Sequence, residues 1–488
     1  MSSSIPFAPG LSSGAPSRGL FYLLLMLPIA VFTALATSPD STPRAVIAAS
    51  VVFPAIILAA TKSSYLLDYF LVVVTFNRDL RRIMDWLARE YDPKPFMSVT
   101  PMAIACLMLA VALSRYSSWP RELKRGASFI GVGLLYSLCI GFNYKLGAVY
   151  GLMEYLLPLS VLVFCISVRP NEQTMTRWLR TLVSLGVVAA VYGAIQWSLV
   201  PPWDRSWIMW SNMYTSMGLP EPFKISIAST LESRGPAAWF MANGSIVMIA
   251  SSKWRKPWGL VGAAFVCGVL LLTTVRSSWG YVVGAVLIFS VLQRGRSNRQ
   301  LWVLGAAIAI MVICIPYLPE SELIRKRIST LSTIQQDSSF QGRIGIAQRG
   351  SLTVLGNPFG FGMGSSGNGR RLVDGGGEGI GDNGYLSLLS DLGLPGFLLF
   401  IWGIGAVVVP VWRRHRAGDA PVAATLGLAM LGSSLLFAII FNTLTSAHAS
   451  YMWIAIASAF ALPRQARQFV PARTSISVSH QLVPGAHR

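Results

Sequence analysis

The sequence predicts an all-α polytopic integral membrane protein with about 12–14 transmembrane helices. Of its 488 residues, 53% are hydrophobic and only 12% are charged. The mean hydropathy is +0.55, a value that excludes an ordinary soluble enzyme. The apolar residues also cluster into segments that approach the roughly 20 residues needed to cross a bilayer.

The predicted spans follow one another with short connectors. The third is short and the twelfth is long enough to begin outside the bilayer, so the count is about 12–14. We interpret the first apolar segment as an uncleaved span rather than a signal peptide. The spans are predicted at residues 19–37, 44–61, 63–76, 98–116, 126–143, 146–168, 177–200, 236–251, 257–275, 277–293, 301–318, 384–411, 421–441 and 446–462.

Charges in the connectors predict the orientation, because Lys and Arg concentrate on the cytoplasmic side of a membrane protein. If the spans alternate, one side carries 21 basic residues against Glu122, Glu172 and Asp419, which is +18 of the formal net charge of +20. We therefore expect both termini in the cytoplasm. The basic balance then indicates topology and not binding to nucleic acid.

Two external segments have unusual compositions. The connector 77–96 carries five basic residues and apolar residues at helical spacing. It is predicted to be either an interfacial amphipathic helix whose arginines meet lipid phosphates, or a solvated connector helix. The segment 201–235 contains Trp203, Trp207 and Trp210, which are predicted to anchor the protein among lipid headgroups or, alternatively, to stack on a sugar.

A third external segment, 319–383, is predicted to be a large periplasmic catalytic loop between the spans of 1–318 and those of 384–462, with 463–488 as a cytoplasmic tail. So long a loop is usually functional or disordered. Helical spacing of apolar residues predicts two amphipathic helices in it, one at Ile324–Leu331 and one at Phe340–Ser351. Arg327 and Arg343 would then project into a shared cavity, where charge-rich surroundings suit an anionic, polyhydroxylated ligand.

Charged residues within or beside the spans are the strongest candidates for function. Arg276 lies between two spans without a flanking acid, and a cation at mid-bilayer costs on the order of 2.5–3.5 kcal/mol. Its guanidinium fits phosphate oxygens, which favours a lipid diphosphate as ligand, and snorkelling to headgroups is the alternative. Asp68, Glu154 and Asp391 fall in predicted spans, where acids are functional by default.

Cysteine and histidine give no sign of a disulfide, a metal site or a cofactor. All five cysteines lie in apolar segments, where a free thiol behaves as a small hydrophobic group. The four histidines are scattered without the spacing of metal ligands. We therefore expect chemistry that depends on the protein's own side chains.

Three runs occur in order between Leu271 and Phe400: TTVRSSWGYVVGAVLIF, SFQGRIGIAQRGSLTVLGNPFGFGMGSS and GDNGYLSLLSDLGLPGFLLF. They resemble the signature region of the O-antigen ligase and polysaccharide polymerase family of membrane glycosyltransferases, and LESRGPAAWFMANGSIVMIA at 231–250 is a weaker match. The resemblance implies metal-independent, inverting transfer of an oligosaccharide from undecaprenyl diphosphate to a sugar hydroxyl, on the periplasmic face of the bacterial inner membrane. It assigns Arg234 and Arg276 to the diphosphate, with Arg343 as a third candidate.

One departure from the family pattern bears on the reaction. Ligases of this family typically carry a histidine before the N-x-Y-L-like block, whereas this chain has DNGYL at 382–386. The departure favours a polymerase of exopolysaccharide or O-antigen repeat units, with Asp382 as general base and Glu378 as the fallback. Helix capping explains Asp382 or Asn383 equally well.

Two other functions remain open at this stage. One is an O-antigen ligase that attaches the glycan to a lipid acceptor. The other is a transporter or flippase of lipid-linked sugars, although the chain lacks the repeated halves that transporters often have. The expected partners are the undecaprenyl-diphosphate-linked oligosaccharide, membrane lipids, and proteins of polysaccharide export and chain-length control.

Overall fold

The computed structural model describes residues 18–35, 41–93, 96–293, 302–303, 305, 338–374 and 383–462. Most of these residues are helical and none of them forms a β-strand, which confirms the predicted fold class. The helices are α1 Arg18–Leu35, α2 Ser41–Ala60, α3 Tyr65–Ala88, α4 Thr100–Leu113, α5 Arg121–Ile140, α6 Leu146–Val168, α7 Glu172–Leu199, α8 Pro202–Trp210, α9 Tyr214–Met217, α10 Arg234–Ala250, α11 Gly259–Leu272, α12 Arg276–Leu292, α13 Ser338–Gly356, α14 Gly367–Asp374, α15 Gly384–Arg416, α16 Val422–Phe437 and α17 Ser446–Ala461.

Every predicted span coincides with an observed helix except the eleventh, 301–318, which lies almost entirely outside the described residues. In the described part of the chain, five helical stretches are long and apolar enough to cross a membrane: Phe96–Leu113, Arg121–Tyr144, Leu146–Val168, Glu172–Leu199 and Gly384–Arg416. Five more are apolar but shorter. The chain is therefore a multi-pass membrane protein.

Small residues let the central helices approach closely. Helix α5 packs along α15, and a Cβ added to Gly126 would lie 2.8 Å from the carbonyl oxygen of Gly403. A Cβ on Gly133 would lie 2.9 Å from the carbonyl oxygen of Gly396. Glycine is needed at these crossings because lipid offers no hydrophobic driving force between helices, so close backbone packing must hold them together.

The glycine-rich loop 357–366 is built into this helix packing. The amide of Met363 donates to the carbonyl of Ser137 on α5 at 2.9 Å, and the amide of Phe361 donates to Ser390 on α15 at 2.8 Å. Gly362 has φ +90°, and a Cβ there would lie 2.1 Å from the amide nitrogen of Gly141. These glycines serve backbone-to-backbone packing within the bundle.

The structure contradicts both interpretations of the connector 77–96. Helix α3 continues without a break to Ala88, and its charged side chains turn into the protein. Arg82 is 1% exposed and pairs with Asp204 of α8 at 2.5 Å. Burial is tolerated because each charge meets an opposite charge or a carbonyl, so the segment is neither a lipid-facing interfacial helix nor a solvated connector.

The segment 201–233 forms a small cap on the bundle, with α8 and α9 and its own apolar cluster that includes Trp207 and Ile208. The tryptophans do not act as one group. Trp207 is 4% exposed, Trp203 donates to the hydroxyl of Tyr192 at 2.6 Å, and Trp210 alone of the three is exposed, at 38%. Anchoring or sugar stacking therefore remains open only for Trp210.

The segment 338–374 carries two helices. Helix α13 covers the second amphipathic helix predicted for the loop and packs on α15. Helix α14 was not predicted, because its glycines indicated a turn. It packs against α6. The predicted helix at 324–331 lies outside the described residues.

Candidate functional site

A cavity of about 440 Å³ opens at one end of the helix bundle. Its walls come from the last turns of α3, the first turns of α4, α6, α10, α14 and α17, and the cap segment 201–233. Its polar lining includes Arg78, Arg81, Glu154, Glu232, Asn368 and His448. The volume lies within the range typical of ligand pockets.

All these chain segments lie at the ends of the spans that the charge pattern predicts to be external. A wider cleft of about 1110 Å³ lies among residues 171–185 and 253–257, at the opposite ends of the spans. Two of the cations in that cleft are already paired, Arg177 with Asp68 at 3.0 Å and Lys253 with Glu172 at 2.5 Å. The smaller cavity is therefore the better candidate for a reaction site.

Arg234 and Arg276 lie at the starts of two helices that pack against each other. Each is the first residue of a helix, α10 and α12 respectively. Thr274 links them, since its hydroxyl lies 3.5 Å from Nη1 of Arg234 and Arg276 follows it by two residues. Ser233 and Pro236, which flank the start of α10, line the cavity. An arginine at a helix N-terminus suits an anion such as phosphate, because the helix dipole and the guanidinium both favour negative charge there.

Arg78 and Arg81 form the wall contributed by α3. Arg78 pairs with Glu232 at 3.1 Å and donates to the hydroxyl of Ser98 at 2.6 Å. Arg81 donates to the carbonyl of Asp92 at 2.5 Å and lies 3.5 Å from Asp85. With these partners the two arginines are fixed in place, so they shape the cavity.

The charges behind this wall show how burial and pairing compete. Burial raises the pKa of Asp85 to about 6, while Arg81 and Arg44 act in the opposite direction. Burial alone would lower the pKa of Arg82, but the nearby carboxylates of Asp204 and Asp79 hold it above its usual value. Arg82 therefore remains a buried cation.

The three acids predicted within the spans have different surroundings. Asp68 is paired with Arg177 and accepts a hydrogen bond from Thr181 at 2.7 Å. Asp391 accepts from Ser365, Ser366 and Tyr155 at 2.9–3.0 Å, and so ties the glycine-rich loop to α6 and α15. The third, Glu154, lines the cavity. Only the tertiary structure separates the structural acids from the one at the candidate site.

His448 is a site residue that sequence reasoning missed. It lies on the first turn of α17, lines the cavity, and its Nε2 is 2.8 Å from the carbonyl oxygen of Asn442. That contact makes Nε2 the protonated nitrogen. The sequence offers no spacing that would have singled it out.

Only some of the predicted site residues lie in the part of the chain that the structure describes. Arg343 falls on α13, while Arg327, Glu378 and Asp382 lie outside the described residues. The side-chain oxygen of Asn383 accepts from the amide of Leu386 at 3.1 Å and caps α15. Asn383 is therefore the N-cap of α15.

No metal site is apparent, since nowhere in the part of the chain that the structure describes do three or more His, Cys, Asp or Glu side chains group as metal ligands would. The cations and the neutral donors around the cavity instead suit an anionic ligand with hydroxyl groups.

Comparison with protein-family models matches residues 261–401 to the family described as O-antigen ligase. This match supports a relationship of the chain to the O-antigen ligase/polymerase-like family, and it is limited to this segment. The match covers Arg276, α13, the glycine-rich loop and the first half of α15, and it confirms the resemblance noted between Leu271 and Phe400. No curated protein and no solved structure matched the chain. The match supports glycan transfer of the O-antigen ligase/polymerase type in general.

Proposed function

We propose that the protein polymerises undecaprenyl-diphosphate-linked oligosaccharide repeat units of an O-antigen or exopolysaccharide on the periplasmic face of the inner membrane. The observation that carries the proposal is that Arg234 and Arg276 begin two helices that pack against each other, α10 and α12, and that the start of α10 lines a cavity at the predicted external end of the bundle. Two cations and two helix dipoles suit the two phosphates of the carrier.

The proposed chemistry is a displacement at the anomeric carbon of the donor glycan. The acceptor hydroxyl oxygen forms the new bond, the bond to the phosphate oxygen breaks, and the lipid diphosphate leaves with the bonding electrons. Negative charge grows on the leaving oxygen as that bond breaks. Arg234 and Arg276 would stabilise this charge, which is the largest contribution that fixed cations make to catalysis.

The polymerase is favoured over the ligase by Asp382, which stands where family ligases typically carry histidine. The ligase remains the second candidate. A glycan analysis of cells that lack the protein separates the two: single repeat units on the carrier lipid indicate a polymerase, and full-length chains left on the carrier indicate a ligase.

The test of the diphosphate site is Arg276→Ala, expressed in cells whose own copy is deleted. We expect polymer to disappear while the protein stays in the membrane fraction, because the site loses a cation that binds the leaving group. Arg121→Ala is the matched control, since Arg121 is also the first residue of a helix but is exposed at the opposite end of the bundle. Polymer of normal length and yield from Arg276→Ala would exclude the diphosphate role.

A further inference from the structure

Glu154 is the cavity carboxylate that the sequence could not distinguish from the other acids in the spans. We propose that Glu154 is the general base that takes the proton from the acceptor hydroxyl. This inference rests on the proposed function, since it assigns a role within the same transfer reaction. It replaces Asp382, the candidate base predicted from the sequence.

The hydrogen bonds of Glu154 leave one of its oxygens available. Asn368 donates to Oε1 at 2.9 Å from α14, and Ser446 donates to the same oxygen at 3.2 Å from the start of α17. Among the described residues Oε2 accepts no hydrogen bond. The carboxylate is thus oriented through one oxygen, while the other can accept a proton in the cavity, as a general base requires.

Glu154 also differs from other acids near the cavity by lacking a cationic partner in the described part of the chain. Glu232 lines the same cavity but pairs with Arg78 at 3.1 Å, and Asp204 behind the cavity wall pairs with Arg82. A carboxylate two turns inside a membrane helix without a counter-ion is costly, so a functional reason for it is expected. Proton abstraction from a sugar hydroxyl provides one.

The position of Glu154 relative to the proposed diphosphate site fits an inverting displacement. The cavity that Glu154 lines extends to Ser233 and Pro236 at the start of α10, where Arg234 begins the helix. The acceptor hydroxyl would lie against Glu154, and the donor's diphosphate against the arginines. Attack and departure would then occur on opposite sides of the anomeric carbon, as inversion requires.

The proton and electron balance of the step is complete. The acceptor O–H proton moves to Oε2 of Glu154, the acceptor oxygen bonds to the anomeric carbon, and the electrons of the broken bond leave with the lipid diphosphate. Glu154 afterwards gives its proton to water. Neither an oxidant nor a further co-reactant is needed.

Two other residues compete for the role. His448 lines the same cavity, and the contact of its Nε2 with the carbonyl of Asn442 leaves Nδ1 as the unprotonated nitrogen, so His448 is the rival base that His448→Gln tests. Asp391 is fully buried, and its oxygens accept from Ser365, Ser366 and Tyr155, so it acts in holding the glycine-rich loop. Both oxygens of Asp391 are therefore engaged, whereas Glu154 keeps one oxygen available.

The experiment compares Glu154→Gln with Arg276→Ala and Asp382→Asn in purified protein in lipid nanodiscs. Transfer is measured with lipid-linked glycan extracted from cells lacking the protein, and carrier binding with undecaprenyl diphosphate as probe in a thermal-shift assay. Glutamine keeps the size of the side chain but cannot take the proton. We expect Glu154→Gln to lose roughly 10²–10⁴-fold in transfer rate while it keeps the thermal shift with undecaprenyl diphosphate, which Arg276→Ala loses.

The outcomes distinguish a failure of the role proposed for Glu154 from a failure of the proposed function. A transfer rate of Glu154→Gln within a fewfold of the wild-type rate overturns the assignment of Glu154 as general base. So does a loss of transfer that occurs only in Asp382→Asn or only in His448→Gln. Wild-type protein that neither transfers glycan nor binds undecaprenyl diphosphate overturns the proposed function itself. Glu172→Gln, at the opposite end of the bundle and 75% exposed at its side chain, is the control for removal of a carboxylate.

A second variant covers the case in which Glu154→Gln fails to reach the membrane. Glu154→Asp keeps the acid but withdraws it by one methylene from Asn368 and the acceptor. A transfer rate at least about tenfold lower with unchanged carrier binding supports the base. A transfer rate equal to that of wild type overturns it.

Discussion

Replacement of Arg82 by methionine tests whether the buried charges of α3 hold the cap segment 201–233 on the bundle. Arg82 is 1% exposed at its side chain and pairs with Asp204 at 2.5 Å. It also donates to the carbonyls of Ser229 and Leu231 at 2.5 and 2.8 Å. Methionine has a similar length but no charge and no donor, so all three contacts are lost together.

The expected effect is large because the partner charge stays behind. Loss of one member of a buried ion pair costs about 3–5 kcal/mol. Asp204 would retain only the hydroxyl of Tyr192, at 2.8 Å, among its partners from the described residues. Each change of about 1.4 kcal/mol alters the open population tenfold. If the cap opens locally, the population of open molecules should therefore rise by between two and four powers of ten.

Hydrogen exchange of the amides at 228 and 229 reports this opening directly. Both amides donate to Oε1 of Gln196 at 2.8 Å, and Gln196 is fully buried. They should be protected in the wild type and exchange much faster in Arg82→Met. Mass spectrometry of the peptide that spans 225–233, in protein purified in nanodiscs, measures the change.

Two further variants make the measurement decisive. Arg82→Met combined with Asp204→Leu should recover most of the protection, because an apolar pair can replace a buried ion pair with little cost. Lys224→Met is the control, since Lys224 pairs with Glu221 at 3.0 Å in an exposed bridge that contributes about 0–1 kcal/mol. Unchanged exchange at 228 and 229 in Arg82→Met would refute the view that this arginine holds the cap.

Two other predictions concern the glycine-rich loop. Gly362→Ala should sharply lower the amount of folded protein in the membrane, because the new Cβ would lie 2.1 Å from the amide nitrogen of Gly141 at a φ of +90°. Gly131→Ala, with open space around it, should leave the amount unchanged, and equal yields of the two variants would contradict the packing role. Asp391→Ala should speed hydrogen exchange at Met363, whose amide donates to Ser137. Unaltered exchange there would show that Asp391 does not hold the loop.

Local sequence determined much of the fold. A stretch of some 20 apolar residues has to become a helix in a membrane, since no other local structure satisfies its backbone hydrogen bonds. The predicted spans therefore coincide with helices wherever the structure describes them. The motif order between Leu271 and Phe400 likewise indicated the family before any coordinates, because a family signature is a property of the sequence.

The candidate site was only half predictable. Arg234 and Arg276 were found from the resemblance and from the cost of a charge beside the bilayer, and the structure places each of them at the first position of a helix. The role of Glu154 could not be distinguished from those of Asp68 and Asp391, because all three look alike as single acids in apolar segments. No sequence pattern indicated a role for His448.

The sequence by itself determined the helices, the family and the pair of arginines, since each depends on local composition or on a motif. Tertiary structure alone decided which charges are buried and what each of them does. The arginines of 77–96 looked lipid-facing until Arg82 met Asp204, which is 122 residues away along the chain. The close packing of the loop glycines against helix backbones likewise appears only in the tertiary structure. Pairing partners and packing neighbours come from distant segments, and the free energy of a buried charge depends on those partners more than on its neighbours in sequence.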